Sequence, residues 1–220
     1  MKILIKFPSR SRPERFFEAL DSIINNVADV DNYIIWCTLD LDDTSMMNPE
    51  VIKRLHSYDK VVCEWGLSES KINAVNRNVP LDIEWDILVV MSDDMRFIFW
   101  GFDQIIRQPF VEQGLDLLVH IPDQDARAAL ATMYIAGRTF YERFNYIYHP
   151  SYKSVWCDND ISDQAKLLNK YYYYDITGVI LHLNPAYGHL ERDEMFDRQQ
   201  NDWNEDEANY YKRKALNFPQ

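Results

Sequence analysis

Apolar and polar residues alternate in blocks along the first hundred residues, and each block has the length and spacing of one secondary-structure element. Short uninterrupted apolar runs predict buried strands, whereas apolar residues at three- and four-residue spacing predict amphipathic helices. Pro13 and Pro49 suit the first turn of a helix, where no backbone N–H is needed. The predicted elements are strands at 2–8, 33–39, 60–65 and 85–94, and helices at 14–26, 49–56 and within 68–80.

The central stretch of this pattern is WDILVVMSDDM, residues 85–95. Its apolar run from Ile87 to Met91 predicts a strand that is buried on both faces, as in a parallel sheet. The run leads directly into Ser92, Asp93 and Asp94. Ligands of open α/β sheets bind at the carboxyl ends of the strands, so these carboxylates are candidate ligands of a divalent cation. The alternative is that Ser-Asp-Asp only begins the next loop or caps a helix.

The strand–helix–strand order of the first half predicts a doubly wound, mostly parallel sheet. The second half is less regular, and its last segment is strongly charged. Phe196, Trp203 and Tyr210 recur every seven residues there, which predicts one aromatic stripe packed on the body of the protein. The predicted elements are helices at 101–113 and 161–169, strands at 115–121 and 129–136 and within 171–183, and a helical tail over 190–216.

Length and charge limit the classes of function. A chain of 220 residues is enough for one domain with an extension. With 35 acidic and 23 basic residues, a net charge of −12 argues against general nucleic-acid binding, which needs clustered Lys and Arg. An anionic ligand would therefore need a local basic cluster or a bound metal.

Cysteine usage and hydropathy bear on location. The three cysteines are far apart and odd in number, without zinc-site spacing or a disulfide framework, so we expect a reducing, cytoplasmic compartment. The apolar run from Ile3 to Phe7 is too short for the core of a signal peptide. No run approaches the roughly 18 apolar residues of a membrane span, so no transmembrane segment is expected.

Four polar clusters follow predicted strands or lie in the loops after them: Ser9–Arg12, Asp40–Asp43, Lys71–Arg77 and Ser92–Asp94. Together they resemble the nucleotide-binding half of a GT-A fold glycosyltransferase of the family 2-like group. Ser92-Asp93-Asp94 takes the place of that group's Asp-x-Asp motif. Because Ser92 replaces the first aspartate, Asp94 is the expected metal ligand.

The resemblance implies a central mixed, mostly parallel sheet flanked by helices, with a helical C-terminal tail. It divides the chain into a catalytic domain, 1–190, and an extension, 191–220, packed on it. Residues 1–100 would bind the nucleotide sugar and residues 101–190 the acceptor. The implied activity is metal-dependent transfer of a sugar from a nucleoside diphosphate, most often UDP in this group, to an unknown hydroxyl acceptor on a saccharide, lipid-linked glycan, protein or modified base.

The diphosphate of such a donor must leave with its charge neutralised, which Mn²⁺ or Mg²⁺ does as a Lewis acid. Arginine suits phosphate because its donors form a planar fork, although a single Arg or Lys is also a common solvated surface charge. Arg77 is a further local cation. The residues that the resemblance assigns to donor binding are Pro8, Ser9, Arg10, Arg12, Asp40, Lys71, Asn76, Ser92 and Asp93.

The acceptor half should supply a general base. VWCDNDISDQAKLL resembles the acidic pair that precedes a helix in this family, with Cys157 replacing the outer Glu. Asp158 takes the position of the base and Asp160 follows at the usual offset, giving an inverting mechanism. The alternative is an acid that caps the following helix. The family's C-terminal histidine ligand would be His182, or alternatively His189, although a lone histidine is more often structural.

Two other functions fit parts of the sequence. IIWCTLDLDDT, 34–44, matches the signature of haloacid dehalogenase phosphatases, with Asp40 as nucleophile, Asp42 as acid/base and Lys71 as the stabilising cation. That signature usually lies nearer the N-terminus. The phosphatase family also has a further acid near position 97, where this chain has Phe97. Residues 100–220 would have no explanation under this alternative. The second alternative is a GT-A-like binding module without catalysis, since a fold alone does not fix function.

Overall fold

A computed structural model describes residues 1–123, 130–183, 188–189, 194, 197 and 201–219. Nine strands are described, in two sheets. They are β1 Ile3–Ser9, β2 Tyr33–Asp40, β3 Val61–Gly66, β4 Ile87–Val90, β5 Met95–Phe97, β6 Leu118–His120, β7 Ile135–Gly137, β8 Tyr171–Tyr173 and β9 Ile180–His182. The main sheet has the order β3-β2-β1-β4-β7-β6-β8, and β5 pairs with β9 in a small second sheet.

The first four strands form the parallel half of the main sheet. β1 lies between β2 and β4 and is parallel to both, and β3 forms the edge beside β2. Ile3 and Ile87 are partners in register, and the four residues of β4 are all buried. The polar residues after these strands therefore emerge at one edge of the sheet, as the sequence predicts.

The second half of the sheet is mixed. β7 is antiparallel to both β4 and β6, and β8 is parallel to β6. β5 and β9 are antiparallel, which places His182 beside Met95 in the register of the small sheet. The mixed, mostly parallel arrangement agrees with the predicted fold class.

Helices cover both faces of the main sheet. Ile3, Ile5 and Phe7 point to a core shared with α1, α2 and α4, whereas Leu4 and Leu88 point to a core shared with α3, α5 and α6. This alternation along β1 is the period-two pattern of a strand buried on both faces. The helices are α1 Pro13–Asn26, α2 Pro49–Leu55, α3 Lys71–Asn76, α4 Phe102–Gln113, α5 Arg138–Phe144, α6 Cys157–Leu167 and α7 Trp203–Ala215.

The predicted elements of the second half need correction. The segment 171–183 carries two strands in different sheets, where one strand was predicted. The strand predicted over 129–136 is Ile135–Gly137, with residue 129 outside the described residues, and the one predicted over 115–121 is only Leu118–His120. Strand β5 and helix α5 were not predicted, because three-residue pairing and an aromatic-rich helix give no clear period in the sequence.

Helix α6 begins at Cys157, although the sequence predicts a start at Ile161. The residue at its N-cap is Trp156, whose backbone is left-handed (φ 61°) and whose side chain accepts no capping hydrogen bond. The usual Ser, Thr, Asp or Asn signal is therefore missing. Asp158 and Asp160 consequently lie in the first turn of the helix rather than before it.

The predicted aromatic stripe of the tail is only partly described. Tyr210 is buried against Trp156, with ring centroids 5.2 Å apart, and Trp203 lies 5.6 Å from the same ring. Phe196 lies outside the described residues. In the described part of the chain, no helix has both the length and the apolar character needed to cross a membrane.

Lys6 is a cation in the interior of β1. Its side chain is fully buried, and its ammonium donates to the Thr38 hydroxyl of the neighbouring strand. Burial and the nearby charge of Arg77 lower the pKa of Lys6 to about 7. The unfolded chain therefore binds more protons than the folded protein between this pKa and the ordinary value of 10.5, so the lysine destabilises the folded state throughout this range.

We expect Lys6→Met to stabilise the protein at pH 7 by up to roughly 4 kcal/mol, because the pKa of Lys6 falls from 10.5 to about 7 and each pKa unit corresponds to about 1.4 kcal/mol. The gain should shrink as the pH rises towards 9.5, where lysine in the unfolded chain begins to lose its proton. Urea unfolding at both pH values measures the difference between variant and wild type. Lys53→Met, an exposed lysine on α2, is the control. A stability difference independent of pH would contradict the burial argument.

Candidate active site

The site lies at the carboxyl edge of β1, β2 and β4, where parallel pairing brings the ends of three strands together. Ser9, the last residue of β1, donates to Asp93 beyond the end of β4 (3.3 Å). Pro8 pairs in register with Thr38 of β2. Three of the clusters predicted from the sequence, those starting at Ser9, Asp40 and Ser92, therefore meet at this edge.

Asp40 ends β2 and is held by two arginines. The guanidinium of Arg10 lies 2.9 Å from one carboxylate oxygen, and Arg77 lies 3.0 Å from the other, which also accepts from Ser68. Arg10 also forms a two-pronged ion pair with Asp42, at 2.7 and 2.9 Å. The predicted donor-binding cations on this side are thus bound to carboxylates.

Asp93 is buried and paired with Arg12, whose guanidinium lies 2.9 Å from its Oδ1 atom. Burial raises the pKa of Asp93, and the charge and hydrogen bond of Arg12 oppose that rise. Arg12 stands at the N-cap of α1 but makes no capping bond with its side chain. The pair therefore joins the start of α1 to the end of β4.

Asp94 and His182 face each other across the small sheet. The carboxylate Oδ2 of Asp94 lies 3.7 Å from His182 Nε2, and the Leu183 N–H donates to the Asp94 carbonyl (2.7 Å). The second imidazole nitrogen, Nδ1, lies 2.9 Å from Asp123 Oδ2. The Oδ1 atom of Asp94 is buried and accepts no hydrogen bond from the described residues.

This arrangement favours charge on both partners. Burial alone would lower the pKa of His182, but Asp123 and Asp94 raise it to about 9. Burial would raise the pKa of Asp94, yet His182, with smaller effects of Ser92 and Lys71, outweighs burial and holds that pKa well below its ordinary value. These pKa shifts favour an Asp94 carboxylate beside a protonated His182.

Asp158 belongs to the same group of charges. Burial raises its pKa, and the Asn159 N–H, which donates to its carboxylate (3.0 Å), and the charges of Lys71 and His182 oppose that rise. The charge of Lys71 also opposes the rise in the pKa of Asp93 and helps to lower the pKa of Asp94. Lys71, at the first position of α3, thus lies within electrostatic reach of acidic groups from both halves of the chain.

Three other predicted residues lie elsewhere or are occupied. The Asn76 amide donates to the Tyr148 carbonyl and accepts from the backbone N–H groups of residues 147 and 148, so it ties α3 to that loop. Asp160 is 1% exposed and accepts from Tyr152 and Arg213. His189 is exposed, in a two-residue described segment. Ser92 lies two residues before Asp94, and its side-chain hydrogen bond acts to lower the pKa of Asp94.

Asp123, which follows β6 and contacts His182 Nδ1, is not among the residues that the sequence predicts for the site. It also accepts from Thr132 (3.0 Å). The signal available in the sequence is the run LVHIPD, in which an acid follows shortly after an apolar strand, as Asp94 follows β4. Only the pairing of β5 with β9 shows that these two acids bracket one histidine.

The residues present fit a cation held jointly with a ligand. No group of three His, Cys, Asp or Glu side chains that could hold a metal occurs among the described residues. Asp94 nevertheless offers a buried Oδ1 atom that has no partner among the described residues, and His182 Nε2 lies 3.7 Å from the other oxygen of the same carboxylate. Mg²⁺ and similar cations commonly take one or two protein ligands, and substrate phosphates and water complete the coordination.

Comparisons with known proteins concern the fold. No protein-family model matches the sequence, and no curated protein matches it either. Solved structures of similar fold include S. aureus TarS 1-349, at 13% identity and a TM-score of 0.64 over 83% of this chain. Another is the mannosyltransferase PcManGT from Pyrobaculum calidifontis with GDP-Man and Mn²⁺, at 12% identity and a TM-score of 0.68 over 86% of this chain.

The TarS fragment has also been solved with UDP-GlcNAc, and this chain matches it over 89% of its own length with a TM-score of 0.66. The present chain covers 60% of TarS 1-349 and 58% of PcManGT. At 12–13% identity the likeness concerns the fold. The chain therefore has the GT-A-like glycosyltransferase fold that its sequence predicts.

Proposed function

We propose that this protein is a glycosyltransferase that moves a sugar from a nucleoside diphosphate, with UDP as the first candidate, to a hydroxyl acceptor. The observation that carries the proposal is the pairing of Asp94 with His182, together with the electrostatic reach of Lys71 to both Asp94 and Asp158, in a GT-A-like fold. Similar folds hold UDP-GlcNAc in TarS and GDP-Man with Mn²⁺ in PcManGT. Ligands of such sheets bind at the edge where these residues lie.

On the donor side, Asp94 and His182 would hold Mn²⁺ or Mg²⁺ together with the diphosphate. The bound cation would supply neutralisation of the charge that develops on the leaving group. His182 must lose its proton to serve as a ligand, so metal binding should release protons. Asp123 would keep the imidazole oriented, as carboxylates do for metal-binding histidines.

The arginines that follow β1 and α3 have a structural role in this proposal. Arg12 pairs with Asp93, and Arg10 and Arg77 pair with Asp40. These ion pairs would fix the two aspartates that border the proposed donor site. Pro8, Ser9 and Asp40 would line the nucleoside. Lys71, which is exposed, is the cation best placed to reach the diphosphate directly.

On the acceptor side, Asp158 is the proposed general base. Burial raises its pKa, which brings the carboxylate closer to the value that suits proton abstraction near neutral pH. Asp160 has its carboxylate bound by Arg213 and Tyr152, so we assign it to positioning rather than to chemistry. The three cysteines are free, which supports the proposed cytoplasmic location.

If Asp158 takes the proton directly from the acceptor hydroxyl, the sugar is displaced in one step with inversion at the anomeric carbon. NMR of the product made from a donor of known anomeric configuration tests this mechanism. We expect the opposite configuration in the first product formed. Net retention would refute direct displacement and require an intermediate.

Asp94→Asn should remove the Mn²⁺-dependent part of donor binding, because an amide oxygen is a weaker ligand for a hard cation than a carboxylate. Calorimetry with UDP, in the presence and absence of Mn²⁺, measures that part. Asp82→Asn makes the same chemical change at an exposed carboxylate and is the control. Unchanged Mn²⁺-dependent affinity in Asp94→Asn would place the cation elsewhere.

Asp158→Asn should leave UDP affinity within about twofold of wild type and reduce turnover by about 10²–10⁴, the usual contribution of a general base. Rates measured at saturating donor isolate the chemical step. Asp59→Asn, an exposed acid before β3, should retain full turnover. Wild-type turnover in Asp158→Asn would exclude it as the base.

A thermal-shift screen of nucleoside diphosphates and nucleotide sugars, with and without Mn²⁺, tests the function itself. A ligand that binds only the folded protein raises its melting temperature. Stabilisation by a nucleotide only when Mn²⁺ is present supports the transferase. Hydrolysis of a generic phosphate ester that Asp40→Asn abolishes would favour the phosphatase instead, and donor binding without any transfer would favour a binding module.

A further inference from the structure

Helix α7 faces the segment that carries Asp158 with a row of polar residues. Asp206, Asn209 and Arg213 follow one another at three- and four-residue spacing, so they lie on one face of the helix. Asp206 is 1% exposed and Arg213 is 6% exposed. Charged side chains are rarely buried to this extent without a specific partner, and each of these has one.

The carboxylate of Asp206 binds three consecutive backbone N–H groups of the loop that precedes α6. They belong to Lys153 (3.0 Å), Ser154 (2.8 Å) and Val155 (2.9 Å). Two residues later in sequence, this loop enters α6 at Cys157, the residue before Asp158. Hydrogen bonds to an ionised acceptor are among the stronger ones, so this contact fixes the loop backbone.

The same loop is also bonded to α3. The Ile72 N–H donates to the Lys153 carbonyl (3.2 Å), and Ile72 follows Lys71 directly. A single peptide segment therefore connects the start of α3, which presents Lys71, to the start of α6, which presents Asp158. Asp206 binds the N–H groups of this segment, whereas α3 binds one of its carbonyl groups.

A second contact of α7 is made to Asp160, two residues after Asp158 in the first turn of α6. The Arg213 guanidinium donates to Asp160 Oδ2 (2.7 Å), which also accepts from the Tyr152 hydroxyl (2.8 Å). Asn209 donates to the Ser151 hydroxyl (2.8 Å). The first turn of α6 is thus held on both sides of Asp158 by residues of one helix face.

We infer that Asp206 is a positioning residue for catalysis: it fixes the loop 153–155, and through it the relative placement of Asp158 and Lys71. This inference rests on the proposed function, because it takes Asp158 as the base. It adds a role for α7, a helix that follows the GT-A-like sheet in the chain. A base displaced by about 1 Å can lose on the order of 10²-fold in rate.

The test uses Asp206→Asn in the full chain, because the amide keeps the shape of the side chain but replaces one acceptor oxygen with a donor. We expect turnover at saturating donor to fall by at least about tenfold, with UDP affinity and donor KM within about twofold of wild type. Glu205→Gln is the matched control, since Glu205 is an exposed neighbour on the same helix that pairs with the Lys153 ammonium. It should keep wild-type turnover.

Amide hydrogen exchange followed by NMR gives a readout that needs no activity. In Asp206→Asn, the amides of Ile72 and Asp160 should exchange at least about tenfold faster, because each bonds to a carbonyl of the held segment or its junction with α6. The Ile5 amide in β1 should exchange as in wild type, which excludes global destabilisation. Glu205→Gln should change none of the three.

Unchanged exchange at Ile72 and Asp160, or unchanged turnover, would overturn the inference. A parallel loss of donor affinity and turnover, with faster exchange at Ile5, would also overturn it, since the effect would then be general unfolding. If the wild-type protein transfers no sugar from any nucleotide donor, the proposed function fails, while the exchange result still decides whether Asp206 holds the two helix starts together.

Discussion

The structure depends on one constraint: the negative charge of every buried carboxylate must be balanced by a cation or by hydrogen-bond donors. The chain carries a net charge of −12 and buries seven aspartates in its described part. An unpaired buried carboxylate costs several kcal/mol, so each must find a cation or several N–H donors. Arginines, a histidine and backbone N–H groups supply these partners. The seven are Asp40, Asp43, Asp93, Asp103, Asp123, Asp160 and Asp206.

The pairs also connect elements that are distant in sequence. Arg12 and Asp93 join α1 to β4, Arg77 and Asp40 join the end of α3 to β2, and Arg213 with Asp160 joins α7 to α6. Removing one partner of such a pair leaves the other as an unpaired buried charge, which is strongly destabilising. The ion pairs therefore fix which element lies beside which, while the apolar cores supply most of the burial.

The parts of the fold that follow from local sequence are those with a clear period. The run from Ile87 to Met91 and the spacing of apolar residues in 14–26 predict β4 and α1, because both patterns describe burial against neighbours on known faces. The start of α6 was misplaced because Trp156 caps it with a left-handed backbone instead of a polar side chain. The local sequence does not indicate that a tryptophan with a left-handed backbone begins this helix.

The candidate site divides in the same way. Asp94 and Asp158 were predicted, because each follows a recognisable motif. The role of Asp123 was not, since it depends on the antiparallel pairing of β5 with β9, a contact between residues far apart in the chain. Nor does the sequence show that Arg10, Arg12 and Arg77 are bound by carboxylates. In the proposed reaction, Lys71 and a metal cation are therefore the groups that bind the diphosphate.

The contacts of α7 extend this dependence on distant pairing. Asp206 satisfies three backbone N–H groups beside Asp158, so the placement of the proposed base depends on a helix outside the strand–helix alternation from which the site was predicted.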